Sequence, residues 1–381
     1  MSERRTEDFF KAPKDWAKYK HRILGSYLRI WVYKLSSSHD RLVFVDTCAG
    51  AGTYENGKPG SPLIAASYND SYLRDKGKSL LVIACEKSKS NARKLSASLA
   101  PYAERRPAEA VVINDNYIGR LEEITGVTRG VPTLFFIDPY GMADLTAENL
   151  APLLGDHARE STEVLVRVPA TLLSRFAGWL RKREHTDRTA KTAESFRHLL
   201  ERLDIDEQLL AQAAEAEDVS ELPSYMDLMD SYLQLFTRRF RYVTPLPVRQ
   251  NYFSPPKYFL VHGTDSPHGL VHMNDVLSTT EDVVFKDTAD ALAGSQTLLF
   301  APERQLRASI ADAAKEVEKA VRRHAGGAVW IDVRSELVLK FGDDLREKHH
   351  NAALKMLLED GRVRLIGAKT RNPLYRKYTP R

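Results

Sequence analysis

The stretch Arg41–Gly52, RLVFVDTCAGAG, decides the fold class of this chain. An apolar run, Arg41–Asp46, ends on an acid and passes directly into a turn with glycines at positions 50 and 52. Short, continuous apolar runs of this kind are typical of strands in parallel sheets that are covered on both faces. We therefore predict a buried strand followed by a turn whose backbone approaches a ligand closely.

Further strands of the same kind follow along the chain and alternate with helical segments, of which Asp15–Leu35 and Ser88–Ala100 are the clearest. The alternation predicts an α/β domain with a Rossmann-like, doubly wound sheet. Two later runs, Tyr242–Val248 and Tyr258–Val261, are expected to return to the far edge of this sheet. The remaining predicted strands are Leu80–Cys85, Ala110–Ile113, Thr133–Ile137 and Glu163–Val168.

The rest of the chain predicts two additions to this sheet. Residues 171–241 are charged and lack strand signals, which indicates a helical insertion. After a charged helix over residues 303–324, the order strand, helix, helix and two strands predicts a C-terminal winged helix, in which the second helix is the recognition helix and the two last strands form the wing. These elements are predicted at Ala328–Ile331, Val333–Phe341, Asp344–Glu359, Arg362–Ile366 and Leu374–Tyr378. By this pattern the first domain, the Rossmann-like sheet with its insertion, ends at residue 300. Residues 301–381 form the linker helix and the winged-helix domain.

Composition sets outer limits on the function. The chain has 381 residues, of which 43% are hydrophobic and 28% charged, as in ordinary globular proteins. No apolar run is long enough to span a membrane, and the first ten residues are charged where a signal peptide would be apolar. We therefore expect a cytoplasmic protein that does not associate with a membrane. The two cysteines, Cys48 and Cys85, predict packing side chains, with neither a disulfide framework nor a metal site.

Acidic side chains follow four successive predicted strands: Asp46, Glu86, Asp115 and Asp138. Ligands of doubly wound sheets bind beyond the carboxyl ends of the strands. The turn after Asp46 has two glycines but neither the third glycine of a dinucleotide loop nor the Lys-Ser/Thr of a phosphate-binding loop. A ligand without phosphates fits this turn better, and S-adenosylmethionine is the common one.

Glu86 is placed to accept hydrogen bonds from the two hydroxyl groups of a ribose. The alternative is that Glu86 caps a helix that starts near Ser88. Asp115 with Asn116 would lie beside an adenine, where a carboxylate can accept a hydrogen bond from the exocyclic amine. Here an Asx turn after the strand is the alternative.

Asp138, Pro139 and Tyr140 form the predicted catalytic segment. A planar exocyclic amine is a poor nucleophile because its lone pair is delocalised into the ring. A carboxylate and a backbone carbonyl that accept hydrogen bonds from its two N–H groups would localise that lone pair. An aromatic neighbour can stack on the base. The alternative is a strand-ending turn with a core tyrosine.

Four segments together resemble the three-Cys-motif partner protein family, which is similar to class I S-adenosylmethionine-dependent methyltransferases. The same segments are similar to a ribosomal-RNA adenine-N6 methyltransferase family, which has an upstream Lys-His pair and a D-P-P-Y motif. The segments are WAKYKHRILGSYL (Trp16–Leu28), DTCAGAGTY (Asp46–Tyr54), GSPLIAA (Gly60–Ala66) and FFIDPYG (Phe135–Gly141).

The resemblance implies a role for each matching residue. Lys20 and the turn with Asp46, Cys48, Gly50 and Gly52 would contact the methionine part of the cofactor. Glu86 would then hold the ribose, Asp115 the adenine and Asp138 the target amine. It also implies a radical-SAM-like three-Cys-motif protein as a partner.

This chain departs from the relatives at two positions. Cys48 stands where they have His or Phe. The motif is Asp-Pro-Tyr-Gly rather than Asp-Pro-Pro-Tyr, so Tyr140 comes one position early. The departure bears on the stacking role of Tyr140 and on the acceptor of the amine.

The C-terminal stretch is the basic part of the chain. Arg334–Arg381 carries 12 basic and 6 acidic residues, whereas the whole chain has a net charge of only +5. A basic winged helix suggests a nucleic acid partner, and a protein–protein module is the alternative. His349 and His350 are expected on the charged face of a helix. The candidate contacts are Arg346, Lys348 and Lys355 on the recognition helix and Lys369, Arg371, Arg376 and Lys377 at the wing.

These features give a leading hypothesis and two alternatives. The leading one is methyl transfer from S-adenosylmethionine to a nucleic acid base, RNA or DNA, at an exocyclic amine as in adenine-N6 methylation. The first alternative is a non-catalytic or partner-dependent binding module that docks on DNA or on the three-Cys-motif protein. The second is methylation of a protein or a small molecule.

Overall fold

A computed structural model of the chain describes residues 15–54, 56–155, 162–170, 175, 187–293, 304–324, 326–367 and 372–380. The chain packs as two compact units. The first runs to Gln250 and includes Ser254–Asp265, and the second comprises Asn251–Phe253 and the chain from Ser266 onward. The division therefore falls near residue 265, whereas the sequence pattern placed the domain boundary at residue 300.

In the described part of the first unit, seven strands form one sheet in the order β3-β2-β1-β4-β5-β7-β6. Neighbouring strands are parallel except that β7 runs antiparallel to both β5 and β6. Each predicted strand is present within about two residues of its expected bounds, apart from β7, which extends further. The strands are β1 Arg41–Asp46, β2 Ser79–Cys85, β3 Ala110–Ile113, β4 Thr133–Ile137, β5 Thr162–Val168, β6 Tyr242–Val248 and β7 Tyr258–Thr264.

Helices cover both faces of this sheet. Alternate side chains of the strands, such as Val43, Phe135 and Val164, pack against helices α4 to α8 in one apolar core. Helix α1 packs on α2, and α2 lies against β2. The helices of this unit are α1 Asp15–Leu35, α2 Ser61–Tyr68, α3 Lys89–Ala103, α4 Leu121–Val127, α5 Ala147–Leu154, α6 Asp187–Arg202, α7 Glu207–Glu215 and α8 Tyr225–Thr237.

Helices α6 to α8 lie within the predicted helical insertion and agree with it where the structure describes it. Helix α8 begins with a capping box in which Ser224 and Asp227 exchange side-chain-to-backbone hydrogen bonds. Its apolar face is buried, and the hydroxyl of Tyr232 donates to the carbonyl of Leu145 at 2.8 Å. The described helices of the insertion therefore contribute to the core of the unit.

The second unit contains a three-stranded antiparallel sheet in the order β8-β10-β9. Its first helix, α9, was missed by the sequence analysis. After α9 the order is helix, strand, two helices and two strands. The elements are α9 Pro267–Ala293, α10 Ile310–Arg323, β8 Ala328–Val329, α11 Trp330–Phe341, α12 Glu347–Glu359, β9 Val363–Ile366 and β10 Lys377–Pro380.

Several predicted boundaries in this unit were wrong: α11 begins at Trp330 rather than Val333 and α12 at Glu347 rather than Asp344, and capping explains two more. The charged helix begins at Ile310 rather than near residue 303, because Ser309 and Asp312 form a capping box there. The last strand begins at Lys377 rather than Leu374, because Asn372 caps a short 3-10 turn over Pro373–Tyr375. Among the helices that the structure describes, none is both long and apolar enough to cross a membrane.

Candidate functional site

The predicted site lies in a cleft of the first unit, at the carboxyl ends of β1 and β4, where the strand order changes direction. With its open mouth included, the cleft measures about 1150 Å³. Three of the four acidic strand ends, Glu86, Asp115 and Asp138, line it, and the fourth, Asp46, is buried behind the turn. Among the residues lining the cleft are Lys20, His21, the turn 47–54, Glu86, Lys87, Asp115, Asn116, Asp138, Pro139, Tyr140, Arg167 and Tyr258.

Asp46 is the buried anchor of the turn. Its carboxylate accepts a hydrogen bond from the backbone N–H of Cys48 at 3.1 Å and another from the hydroxyl of Ser61. Burial raises the pKa of Asp46 to about 7, although the two hydrogen bonds oppose the rise. Gly60 is the N-cap of α2, and Ser61, the first residue of that helix, donates its hydroxyl to Asp46 rather than capping the helix.

Glu86 ties the glycine turn to the start of α3. One carboxylate oxygen accepts from the backbone N–H of Gly50 at 2.9 Å, and the other accepts from that of Ser88 at 2.7 Å. Ser88 is itself the N-cap of α3, through the N–H of Asn91. The carboxylate keeps further lone pairs toward the cleft, so this placement is compatible with both the ribose role and the helix-capping alternative.

Glycines let the turn and the loop after it approach each other closely. Gly50 and Gly52 have positive φ angles of 63° and 82°, which non-glycine side chains rarely adopt. The N–H of Gly60 donates to the carbonyl of Gly52 at 2.7 Å, and a Cβ on Gly60 would stand 2.9 Å from that oxygen. The GSP and GAG segments are therefore one structural feature.

Asp115 and Asn116 line the cleft from the end of β3. The Asp115 carboxylate accepts from the N–H of Asn116 at 2.7 Å and pairs with Arg120 at 2.9 Å. These contacts hold its pKa below the usual value. The Asn116 side chain accepts from the N–H of Ile118, so the Asx turn of the alternative interpretation is present at the lip of the cleft.

The carboxylate of Asp138 lies between two cations. Lys20, on α1, donates to one of its oxygens, and the Nε atom of Arg167 is 3.5 Å from the other. The Nη1 atom of Arg167 also donates to the carbonyl oxygen of Pro139 at 2.7 Å. Lys20, which the resemblance assigned to the cofactor, therefore contacts the predicted catalytic carboxylate.

Tyr140 lies at the mouth of the cleft with 56% of its surface exposed. Burial of its remaining surface raises the pKa of its hydroxyl to about 12, so the phenol is neutral. Tyr140 is therefore not the core tyrosine of the alternative interpretation. Tyr117 and Tyr258 are the buried tyrosines among the residues lining the cleft, and the ring of Tyr258 lies 4.8 Å from the guanidinium of Arg167.

Sequence reasoning missed Arg167 and the pair His21–Tyr54. Arg167 is a charged residue that directly follows the apolar run Val164–Val166 of β5, which is a signal the sequence did contain. The hydroxyl of Tyr54 is 3.1 Å from Nε2 of His21. Burial, with a smaller contribution from Lys20, lowers the pKa of His21 to about 4, so this imidazole is neutral at pH 7.

The cysteines have the packing roles that we predicted. Burial raises the pKa of the Cys48 thiol well above its ordinary value and that of Cys85 to about 12. Both are therefore thiols at pH 7, and neither has the lowered pKa of a nucleophile. Among the described residues, no cluster of His, Cys, Asp and Glu has the arrangement of a metal site.

The predicted nucleic-acid contacts of the second unit fall into two groups. Lys348, Lys355 and Lys377 are exposed. Arg346 is instead engaged within the unit, where its guanidinium pairs with Asp282 at 2.8 Å and donates to Thr279 at 2.9 Å.

The remaining predicted residues of this unit differ in what the structure says of them. Arg376 is half-buried, and Lys369 and Arg371 lie outside the described residues. The expectation for His350 was wrong, since it is fully buried and burial lowers its pKa to about 3.

Comparisons with known proteins return distant similarities of fold. No protein-family model matches the chain, and no curated protein matches it. The resemblance to the three-Cys-motif partner and adenine-N6 methyltransferase families therefore stays a prediction.

Several solved structures are distantly similar to this chain. The Escherichia coli protein yhhF, described as a candidate methyltransferase, is 18% identical over 38% of this chain and 69% of its own, with a TM-score of 0.25. The Legionella pneumophila protein LPL1258 is 11% identical over 72% and 94%, with a TM-score of 0.39. The plantazolicin methyltransferase BamL, solved with SAH, is 11% identical over 65% and 85%, with a TM-score of 0.27. At these values the function has to be argued from the site itself.

Proposed function

We propose that this chain is an S-adenosylmethionine-dependent methyltransferase that acts on an exocyclic amine of a nucleic acid base. The observation that carries the proposal is the cleft in which the Asp46–Gly52 turn, Glu86 and the Asp138-Pro139-Tyr140 segment meet. One end of the cleft has a glycine turn held by a carboxylate, and the other has two hydrogen-bond acceptors and an aromatic ring. A cofactor half and an acceptor half are thus adjacent.

The residues present fit the cofactor. Glu86 presents its carboxylate beside the turn, where it can accept from ribose hydroxyls while it holds Gly50. Gly60 and Gly52 pack without side chains between them, which leaves the backbone of the turn accessible to a ligand. S-adenosylmethionine, when bound, supplies an electrophilic methyl group whose bond to sulfur breaks, with its electron pair going to sulfur, as the bond to the acceptor nitrogen forms.

The chain's own residues would prepare the acceptor. The carboxylate of Asp138 and the carbonyl of Pro139 would accept hydrogen bonds from the two N–H groups of the amine and so localise its lone pair. Lys20 and Arg167 hold both acceptors in place. The proton released by the amine passes to Asp138, and Tyr140 at the mouth covers the base. Positioning supplies most of the rate, since the cofactor carries the reactive group.

Isotope-labelled S-adenosylmethionine tests this function. The full chain is incubated with separate pools of cellular RNA and DNA, which are digested to nucleosides and analysed by mass spectrometry. We expect label on one amine-bearing nucleoside, lost in Asp138→Ala and retained in the exposed control Asp75→Ala. Label in neither pool, with cofactor binding intact, would contradict the proposal.

One observation favours the alternative of a non-catalytic or partner-dependent module. Both acceptors that the amine needs already contact cations, Lys20 and Arg167. In that case the cleft binds the cofactor without turnover, and activity or docking requires another protein, such as the three-Cys-motif partner. Turnover by the isolated chain that depends on Asp138 would exclude a purely binding role.

We also propose that the second unit is a winged helix that binds the nucleic acid. Its element order and three-stranded antiparallel sheet support this. The exposed face of α12 is nearly neutral, since Lys348 and Lys355 are offset by Glu347 and Glu359. The wing strands, with Arg364 and Lys377, are therefore the more basic part. Lys377→Ala should reduce the slope of log affinity against log salt by about one, whereas Arg346→Ala should instead lower stability.

A further inference from the structure

A single guanidinium joins the two acceptors at the catalytic end of the cleft. Arg167 is the second-last residue of β5, and its side chain is 22% exposed. Its Nη1 atom donates to the carbonyl of Pro139, and its Nε faces the carboxylate of Asp138. The ring centre of Tyr258 lies 4.8 Å from the guanidinium carbon of Arg167, so the ring packs against the guanidinium. The fork is thus fixed from two sides.

The guanidinium retains donors for a substrate. Arginine has five N–H donors, and the contacts above use one on Nη1 and direct one on Nε. Among the described residues, no further hydrogen bond to the remaining N–H groups of Arg167 is present, and Arg167 lines the cleft. A group beside the target amine would therefore meet these donors.

The structures of the nucleic acid bases indicate which group this is. In adenine and in cytosine, the exocyclic amine is attached next to a ring nitrogen that accepts hydrogen bonds. If the amine donates to Asp138 and Pro139, the neighbouring ring nitrogen comes next to the residue that bridges these two acceptors. A planar, fixed donor is suited to reading such an edge, as arginine does in other nucleic acid complexes.

We propose that Arg167 determines substrate specificity by donating a hydrogen bond to the ring nitrogen beside the methylated amine, while it positions Asp138 and the Pro139 carbonyl. The proposal rests on the proposed function and deepens it. It restricts the substrates to amino-heteroaromatic bases with an unprotonated ring nitrogen next to the amine. Amines without such a neighbour, as in a lysine side chain, are excluded.

The first experiment repeats the labelling of RNA and DNA pools with Arg167→Met, Arg167→Lys and the control Arg41→Met, an exposed arginine at the opposite end of β1. We expect label on the exocyclic amine of adenosine, cytidine or guanosine, since each has an unprotonated ring nitrogen next to that amine. Arg167→Met should lower kcat/KM at least 100-fold with the affinity for S-adenosylmethionine, measured by calorimetry, within twofold of wild type. Arg41→Met should behave as wild type.

The second experiment distinguishes a hydrogen bond from Arg167 to the base from the positioning of Asp138 and Pro139 by Arg167. An oligonucleotide with the labelled site is synthesised with that ring nitrogen replaced by C–H. We expect wild type to lose at least tenfold in kcat/KM and in affinity, measured by fluorescence anisotropy, and Arg167→Met to treat both oligonucleotides alike. If Arg167→Met does not fold, Arg167→Lys carries this test, because an ammonium cannot bridge both acceptors and still reach the ring.

The outcomes separate the two proposals. Equal activity of wild type and Arg167→Met, or equal use of both oligonucleotides by wild type, overturns the role of Arg167 and leaves the methyltransferase function standing. Label on a ring carbon or a ribose hydroxyl overturns the restriction to amines. No label in any pool with wild type overturns the function, and the specificity proposal fails with it.

Discussion

At the scale of single residues, the cleft is defined by carboxylates in contrasting surroundings. Asp46 is fully buried, Asp138 lies between Lys20 and Arg167, and Asp115 is at the exposed lip. Burial disfavours the charged form of a carboxyl, whereas nearby cations and N–H donors favour it. The chemistry that each acid can perform therefore depends on its surroundings more than on its place at a strand end.

Asp46 should make stability depend on pH. Its pKa is about 7 in the folded chain, because burial outweighs its hydrogen bonds, and near 4 when unfolded. Between these values the folded state binds the proton and the unfolded state does not, so stability falls as pH rises from about 4 to about 7, by roughly 4 kcal/mol at most. Urea unfolding from pH 4.5 to 8 should show this slope in wild type and a weaker one in Asp46→Asn. Equal slopes would contradict the burial argument.

Glu86 and Asp115 should differ in their effect on cofactor binding. Glu86 accepts two backbone N–H groups and orders the turn, whereas Asp115 is exposed and paired with Arg120. Because hydrogen bonds to a charged acceptor contribute about 1.5–3 kcal/mol, we expect Glu86→Gln to raise the Kd for S-adenosylmethionine at least tenfold and Asp115→Asn to raise it less than threefold. Calorimetry measures both, and the reverse order would place the ribose elsewhere.

At the scale of elements, the turn after β1 and the start of α2 act together. Their contact is a backbone hydrogen bond between Gly60 and Gly52 with no room for a side chain. The sequence showed GAG and GSP as separate motifs, and their union became visible only in the structure. The reason is that the contact lies between backbone atoms, which carry no residue-specific signal.

Gly60→Ala should disturb the turn. Its Cβ would stand 2.9 Å from the carbonyl oxygen of Gly52, so the two segments must separate. We expect a loss of about 1–3 kcal/mol in stability and a weaker affinity for S-adenosylmethionine. Gly126→Ala in α4 is the matched control, since a Cβ there meets nothing within 4 Å. Thermal unfolding and calorimetry check both, and an unchanged Gly60→Ala would mean that the loop adapts.

Helix α9 shows where periodicity failed at this scale. Its buried residues include polar ones such as Asn274, Ser278 and Glu281. The side chain of Asn274 donates to the carbonyl of Leu345 at 2.8 Å, and Thr280 donates back to the carbonyl of Val276. A helix whose buried face is partly polar has no clear apolar stripe, so the sequence pattern did not reveal it.

At the scale of the whole molecule, buried arginines hold the second unit together. Arg334 is 1% exposed and pairs with Asp275 of α9 at 2.9 Å. Arg304 and Arg346 both pair with Asp282, which lies about two turns further along the same helix. Arg334 and Arg346 belong to the basic stretch of the sequence but are engaged within the unit, so the net charge of that stretch overstates its exposed positive charge.

Arg334→Met should destabilise the second unit. It leaves the half-buried Asp275 carboxylate with the backbone N–H of Glu347 but without its charged partner. Because breaking a fully buried pair typically costs about 3–5 kcal/mol, we expect a loss of about 2–3 kcal/mol here. Arg323→Met is the control, since Arg323 is 63% exposed and pairs with Glu336 at the surface. Thermal unfolding of the full chain should show an earlier transition for Arg334→Met alone, with S-adenosylmethionine affinity unchanged. Equal transitions for both variants would show that the buried pair contributes little.

The sequence by itself determined the strands, their order of appearance and the four acidic strand ends. Apolar runs and glycine turns are local signals, since they follow from the covalent chain and the burial of neighbouring side chains. This was enough to predict the sheet and the location of the cleft.

Only the tertiary structure decided which charges meet. It brought Lys20 from α1 and Arg167 from β5 to Asp138, directed Ser61 to Asp46, and placed Arg346 inside the second unit. Such pairings join residues up to about 120 positions apart along the chain, as Lys20 and Asp138 are. They depend on packing across the whole sheet, because an ion pair forms only where folding has already removed water and fixed both partners, and no local pattern records that.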